Sequence, residues 1–312
     1  MSSCGYRAYR SLSAALAVGI GTTLLGAAPA EAGTIAYNGF ANTSGLTFSG
    51  SAATATTSDG TVLRVTGDGP NKAGAVHSTA PITLGANDMF STQFQFRFTD
   101  VGGVDPADGI TLVLAASPKG LGIAGYGMGY AGVANSVAIE FDTYNNGNAK
   151  SRGYFSAEPN SSNHVAIDLN GVLTNTAWTN VYGNGSCGFS KGTPAQNTNT
   201  AAGCMSNGDL WTVDVSYDGT NLNVTLLDPA KGFVFDAITD YSINIGSYLG
   251  TSKAYVGFTG STGAGWENHD IVNWEFADTA TLPPTSVPEP GSVALLGIGL
   301  ICLTRLRRRK PA

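Results

Sequence analysis

Phe90-Ser91-Thr92-Gln93-Phe94-Gln95-Phe96-Arg97-Phe98 decides the fold class. Phenylalanines 90, 94, 96 and 98, with Thr92 between them, fall on alternate residues, and Gln93, Gln95 and Arg97 take the other positions. Successive strand side chains point to opposite faces, so this is a strand with one apolar face. The alternation returns on both sides of it. Val137, Ile139 and Phe141 face one way while Glu140 and Asp142 face the other, and Val165, Ile167 and Leu169 repeat the pattern after His164. Trp211, Val213, Val215 and Tyr217 share a face, Asp218-Gly219 is a hairpin turn, and Leu222, Val224 and Leu226 return. Gly109 to Ala115 is an apolar run suited to a strand buried on both faces, and Gly33–Asn38, Thr61–Thr66, Ala254–Thr259 and Asp270–Phe276 read as further strands.

Composition agrees. The 312 residues include 42 glycines and only 12% charged residues against 42% hydrophobic ones. No long helical period and no internal repeat is present, so the expectation is an all-β antiparallel sandwich, with function on its loops. The formal net charge is −6. Residues 33–288 alone carry nine basic against twenty acidic residues, a net charge of −11. That excess excludes a general nucleic-acid binder and attraction to anionic membranes.

Both termini read as processing segments. Residues 1–32 have a basic start at Arg7 and Arg10, an apolar stretch from Leu12 to Ala28 and the cleavage pattern Ala30-Glu31-Ala32, the layout of a secretory signal peptide. Residues 278–288 are rich in Thr and Pro and read as a linker. Residues 289–312 form the tail. Its apolar run, Val293 to Leu303, is shorter than the ~20 residues a spanning helix needs, and Arg305, Arg307, Arg308, Arg309 and Lys310 would hold it on the cytoplasmic side as a short, transient membrane anchor. Val287-Pro288-Glu289-Pro290, the apolar run and the Arg-rich end resemble the PEP-CTERM sorting tail. That resemblance implies recognition by an exosortase, cleavage near the motif, and delivery to the cell surface or extracellular matrix.

Cys4 and Cys302 lie in the end segments, leaving Cys187 and Cys204. An even pair in an oxidising compartment predicts a disulfide, worth ~3 kcal/mol in the chain-entropy model.

Glu140 and Asp142, two apart on a strand, project from the same face, followed by the turn Tyr144-Asn145-Asn146-Gly147, then Glu158 and His164. Carboxylates, an amide and a carbonyl suit Ca²⁺, and one imidazole added to them suits a transition metal such as Mn²⁺. Spacing alone equally allows two solvated acids on an exposed sheet face.

Six blocks occur in order: Phe90-Ser91-Thr92, Pro106-Ala107-Asp108-Gly109-Ile110-Thr111, Ile139-Glu140-Phe141-Asp142-Thr143-Tyr144, His164-Val165-Ala166-Ile167-Asp168, Val256 to Gly263, and His269 to Phe276. Together they make residues 33–277 resemble an L-type (legume-type) lectin domain, a jelly-roll-like sandwich that binds sugars without cleaving them. The resemblance implies that Asp108, after a cis Ala107–Asp108 peptide, accepts hydrogen bonds from two sugar hydroxyls. It implies that Asn146 touches both calcium and sugar, that Gly127 offers a backbone N–H, that Tyr144 gives its carbonyl to calcium and its ring to a sugar face, and that Trp266 stacks from the variable loop Gly263 to Glu267. Glu140, Asp142, Glu158 and His164 take the places of the transition-metal ligands, and Asp142, Tyr144, Asn146 and Glu158 those of calcium. The family usually has Asp where Glu158 stands, and Asn148 to Ala157 reads as an insertion.

The expected function is a secreted, metal-dependent lectin that binds surface or matrix polysaccharide and is not an enzyme. The flat sheets of such sandwiches also admit homo-oligomers. Two other classes compete. One is an adhesive matrix protein that keeps the fold without binding sugar. The other is a laminarinase-type hydrolase, whose family places a third acid soon after its Glu-x-Asp, whereas Thr143, Tyr144, Asn145 and Asn146 follow Asp142 here. Elsewhere, His269-Asp270 reads as orienting a strand end, His77 as a lone loop histidine, and Trp178, Trp211 and Trp274 as core.

Overall fold

The computed structural model describes residues 34–118, 120–146, 159–182, 187 and 200–282. Glu158, the 148–157 insertion, the leader at 1–32 and the tail at 289–312 lie outside the described residues, as does the linker beyond residue 282. In chain order the strands are β1 (Ile35–Asn38), β2 (Leu46–Gly50), β3 (Ala53–Thr57), β4 (Gly60–Thr66), β5 (Ala73–Ser78), β6 (Ile82–Thr83), β7 (Phe90–Gly103) and β8 (Gly109–Ala115). They continue with β9 (Ser136–Asp142), β10 (His164–Leu169), β11 (Trp178–Asn180), β12 (Trp211–Tyr217), β13 (Asn221–Asp228), β14 (Phe233–Ser242), β15 (Lys253–Ser261) and β16 (Gly265–Ala277). Among the described residues one short α-helix, α1 (Ile245–Leu249), precedes β15. No helix among the described residues is long and apolar enough to cross a membrane.

The strands form two antiparallel sheets. The back sheet runs β14-β13-β12-β7-β16-β4-β3, with β1 beside β16, and the front sheet runs β11-β10-β9-β8-β15-β5-β2, with β6 beside β15. The phenylalanine row of β7 is the contact between them. Phe94 meets Phe141 of β9 edge-on at 5.6 Å and Phe258 of β15 at 5.0 Å, and Phe96 stacks on Trp211 at 6.1 Å. Trp211 and Trp274 are core as expected. Trp178 is not. It stands on the edge strand β11 and is 48% exposed, because no strand flanks its outer side. His77 also differs from its expectation, lying buried on β5 rather than in a loop.

A register shift on β16 between Ile271 and Asn273, opposite Phe96 and Gln95, lets Ile271 on one side of it and Trp274 and Phe276 on the other all enter the core. An extra residue at such a bulge reverses the alternation of faces beyond it. The Cys187–Cys204 disulfide forms as expected, with its Cα atoms 5.6 Å apart. Beside it, the Asn163 side chain donates to the Gly203 carbonyl at 2.7 Å and accepts from the Met205 amide at 2.9 Å, tying this segment to the residue before β10.

Candidate functional site

Register brings the acids and the histidine together. In the β9–β10 pair, His164 lies opposite Asp142 and Ala166 opposite Glu140. One ligand atom from each of Glu140, Asp142 and His164 falls within 4.8 Å of the other two. All three are buried, so the alternative of solvated acids on an open face does not hold. Nε2 of His164 is 2.7 Å from Oε1 of Glu140, and the Tyr144 amide donates to Oδ1 of Asp142 at 2.7 Å. Burial pushes the His164 imidazole down to about 4, which leaves it neutral at pH 7 and able to offer a lone pair. Two buried carboxylates and a neutral imidazole in one place are a donor set for a divalent cation, whose charge would offset theirs. Glu158, assigned to both metals by the resemblance, lies outside the described residues.

Asp168 was not singled out as a site residue. It follows His164 and Ala166 on the same face of β10, and its position is buried. Burial, then the charge of Glu140, raise its pKa well above the usual carboxylate range, although Oδ1 accepts from the amides of Thr174 at 2.7 Å and Asn175 at 3.0 Å. Its place in the alternation of β10 was the available signal.

A cavity of about 330 Å³ opens next to the hairpin that follows β9. Its walls are the Ala107–Asp108 turn, Gly125 and Tyr126, Tyr144 and Asn146, the Gly263–Gly265 stretch, and Asn71 from the β4–β5 turn. The Ala107–Asp108 peptide is cis, as the resemblance implied. Asp108 is anchored through its own amide to the Ser261 carbonyl at 2.9 Å, and its carbonyl accepts from the Thr143 amide at 2.9 Å. Its Oδ2 is buried without a hydrogen-bond partner among the described residues. Desolvation, then the charge of Glu267, push its carboxyl up to about 7.

The walls are cross-tied. Asn71 donates its amide to the Gly263 carbonyl at 3.1 Å, and Gly125 donates its amide to Thr262 at 3.2 Å. Ser261 donates its hydroxyl to the Gly125 carbonyl at 2.6 Å.

Of the expected sugar contacts, Asp108, Tyr144 and Asn146 line this cavity. Gly127 lies behind the wall that Gly125 and Tyr126 form, and a Cβ on it would meet the Ile123 side chain at 2.9 Å. Trp266 is also outside the lining, because its indole covers Gly102 and Gly103, where any side chain would collide with it. Asn71 was missed because its turn is distant in sequence from every acid of the site.

Glu267, read earlier only as the end of a variable loop, is buried on β16. Its Oε1 accepts from the Thr143 hydroxyl at 2.7 Å and lies 3.4 Å from Nε2 of His269, whose Nδ1 is 2.5 Å from the Thr66 hydroxyl.

Comparisons with known proteins agree with the fold. The family model described as Legume lectin domain matches residues 33–290, and that of the PEP-CTERM protein-sorting motif matches residues 286–310. Favin from Vicia faba is 26% identical over 204 residues, covering 62% of this chain and 72% of favin. An L-type lectin-domain containing receptor kinase, VIII.1 of Arabidopsis thaliana, is 27% identical over 207 residues, which is 61% of this chain but 24% of the kinase. Among solved structures, basic winged bean lectin with Tn-antigen superposes with a TM-score of 0.58 at 23% identity, covering 80% of this chain and 99% of that one. Lectin II from Ulex europaeus gives 0.58 at 23% identity, covering 78% and 97%.

Proposed function

The chain belongs to the legume lectin domain family, and from that premise we propose that it is an exported, metal-dependent lectin that binds cell-surface or matrix polysaccharide without cleaving it. The observation that carries the reading is the cavity in which Asp108, Tyr144 and Asn146 meet beside the buried Glu140–Asp142–His164 cluster. Asp108 accepts hydrogen bonds from two sugar hydroxyls, and its unmatched buried Oδ2 gains a donor when they arrive. The Asn146 amide donates to a further hydroxyl, and the rings of Tyr126 and Tyr144 offer apolar faces to the C–H side of a pyranose.

Glu140, Asp142 and His164 would hold a transition metal such as Mn²⁺, and Asp142, the Tyr144 carbonyl and Asn146 would hold Ca²⁺, with Glu158 completing both sets. Bound cations supply charge neutralisation for the buried acids and fix the hairpin that presents Asn146. The leader directs export, and the sorting tail directs an exosortase-type enzyme to the C-terminus.

A glycan array and titration calorimetry on metal-loaded protein test this reading. Binding that disappears with chelator and in Asp108→Ala supports it. Unchanged binding by a folded Asp108→Ala overturns the assigned site. Absence of binding to any glycan favours the matrix-protein class, and release of sugar from β-glucan favours the hydrolase.

A further inference from the structure

Thr143 lies between Asp142 and Tyr144, and both of its hydrogen-bond donors point away from solvent. Its amide binds the carbonyl of Asp108 at 2.9 Å, and its hydroxyl binds Oε1 of Glu267 at 2.7 Å. We propose that Glu267 is a positioning residue for the cavity, acting through Thr143 to hold the Asp142–Asn146 hairpin and the Asp108 turn in one arrangement. The inference rests on the lectin reading above and adds to it a residue that touches neither sugar nor cation.

Three observations converge on this role. Thr143, Glu267, His269 and Thr66 are all buried and follow one another from β4 across β16 to the hairpin after β9, through a hydrogen bond at each end and a 3.4 Å contact, not a hydrogen bond, between His269 and Glu267. This series therefore links the back sheet to the loop that carries the donors. A carboxylate at such depth is costly to desolvate, and packing alone would be served as well by an apolar residue of similar volume. Finally, the hydroxyl and the amide of one residue are both committed, which leaves the backbone on either side of Thr143 little freedom. The carboxylate of Asp142 and the carbonyl of Tyr144 then occupy their places before any ligand arrives. Outer partners of this kind commonly change metal affinity by about 10–100-fold when removed.

The test uses purified full-length protein and Ca²⁺ alone as the probe. Thr143→Val removes the hydroxyl at nearly constant volume, Thr143→Ser keeps it, and Glu267→Gln keeps an acceptor at the same reach. The expected result is a Ca²⁺ dissociation constant raised about tenfold in Thr143→Val and restored to near the wild-type value in Thr143→Ser, with Glu267→Gln between them. Amide hydrogen exchange in the metal-free protein should be faster at Tyr144 and Asn145 in Thr143→Val than in wild type. A Thr143→Val protein that melts at a lower temperature yet binds Ca²⁺ as wild type does would overturn the inference and leave the lectin reading standing. Wild-type protein that binds no Ca²⁺ would overturn both.

Discussion

Nε2 of His164 stands 2.7 Å from Oε1 of Glu140, with both side chains closed off from solvent. In the metal-free protein the neutral imidazole donates Nε2–H to this carboxylate oxygen, and a transition metal would take both atoms in place of that proton. Mn²⁺ must therefore separate the pair, and the response should be visible from outside. The exposed ring of Trp178 lies edge-on to His164 at a centroid distance of 6.2 Å. Mn²⁺ at about a hundredfold excess over its Kd should raise Tm by about 5–10 °C and quench Trp178 fluorescence. His164→Ala should lose both effects, and Trp178→Phe should lose only the quenching.

Asp108→Asn should separate stability from binding. The folded carboxyl is pushed up to about 7 by burial and by Glu267. Between the unfolded value near 4 and that value, the folded protein keeps a proton that the unfolded chain has lost. Its stabilising effect is therefore complete in acid and lost as pH rises through about 7. Metal-free Asp108→Asn should exceed metal-free wild type at pH 8 by an amount on the order of 4 kcal/mol and match it near pH 4, while sugar binding is abolished. Urea midpoints at the two pH values decide the first point and calorimetry the second.

His77 predicts the opposite slope. It is buried against Gly120 and desolvation pushes it down to about 4. As pH falls below about 6.5, the unfolded chain takes a proton that the folded imidazole refuses, so stability falls until about pH 4. The loss attributable to His77 is about 3 kcal/mol. His77→Gln should flatten this part of the curve in chelator, leaving the share contributed by His164, which is depressed in the same direction. Guanidinium unfolding from pH 7 to pH 4 measures it.

Phe94 joins the two sheets through Phe141 and Phe258. Phe94→Ala should cost about 3–5 kcal/mol, read as a lower urea midpoint at an unchanged slope. Gln95→Ala, one position along and on the other face, should cost less than about 1 kcal/mol.

The strands were legible wherever one face is apolar and the other polar, as in β7, β12 and β13. The Glu140–Asp142–His164 cluster was legible from spacing together with block order. The depth of those acids was not, because β9 is buried on both faces and the segments covering its outer face lie elsewhere in the chain. Glu267 was hidden for a different reason. Counting back by twos from Phe276 and Trp274 puts Asp270, Asn268 and Trp266 inward. The bulge at Val272 moves that role to Ile271, His269 and Glu267. In the sequence this strand is legible only from Asp270, and Gly263 to Glu267 reads as a loop, whereas β16 starts at Gly265. Gly127 is buried at the end of the Gly125–Gly127 turn, whose first two residues line the cavity.

The Cys187–Cys204 bridge encloses a stretch that includes Lys191, a site open to trypsin-like cleavage by sequence. A single cut there leaves the fragments covalently joined, so the nicked protein would run as one band without reductant and as two with it. The bridge would thus hold the fragment that carries β1–β11 to the one that carries β12–β16, and both sheets draw strands from each.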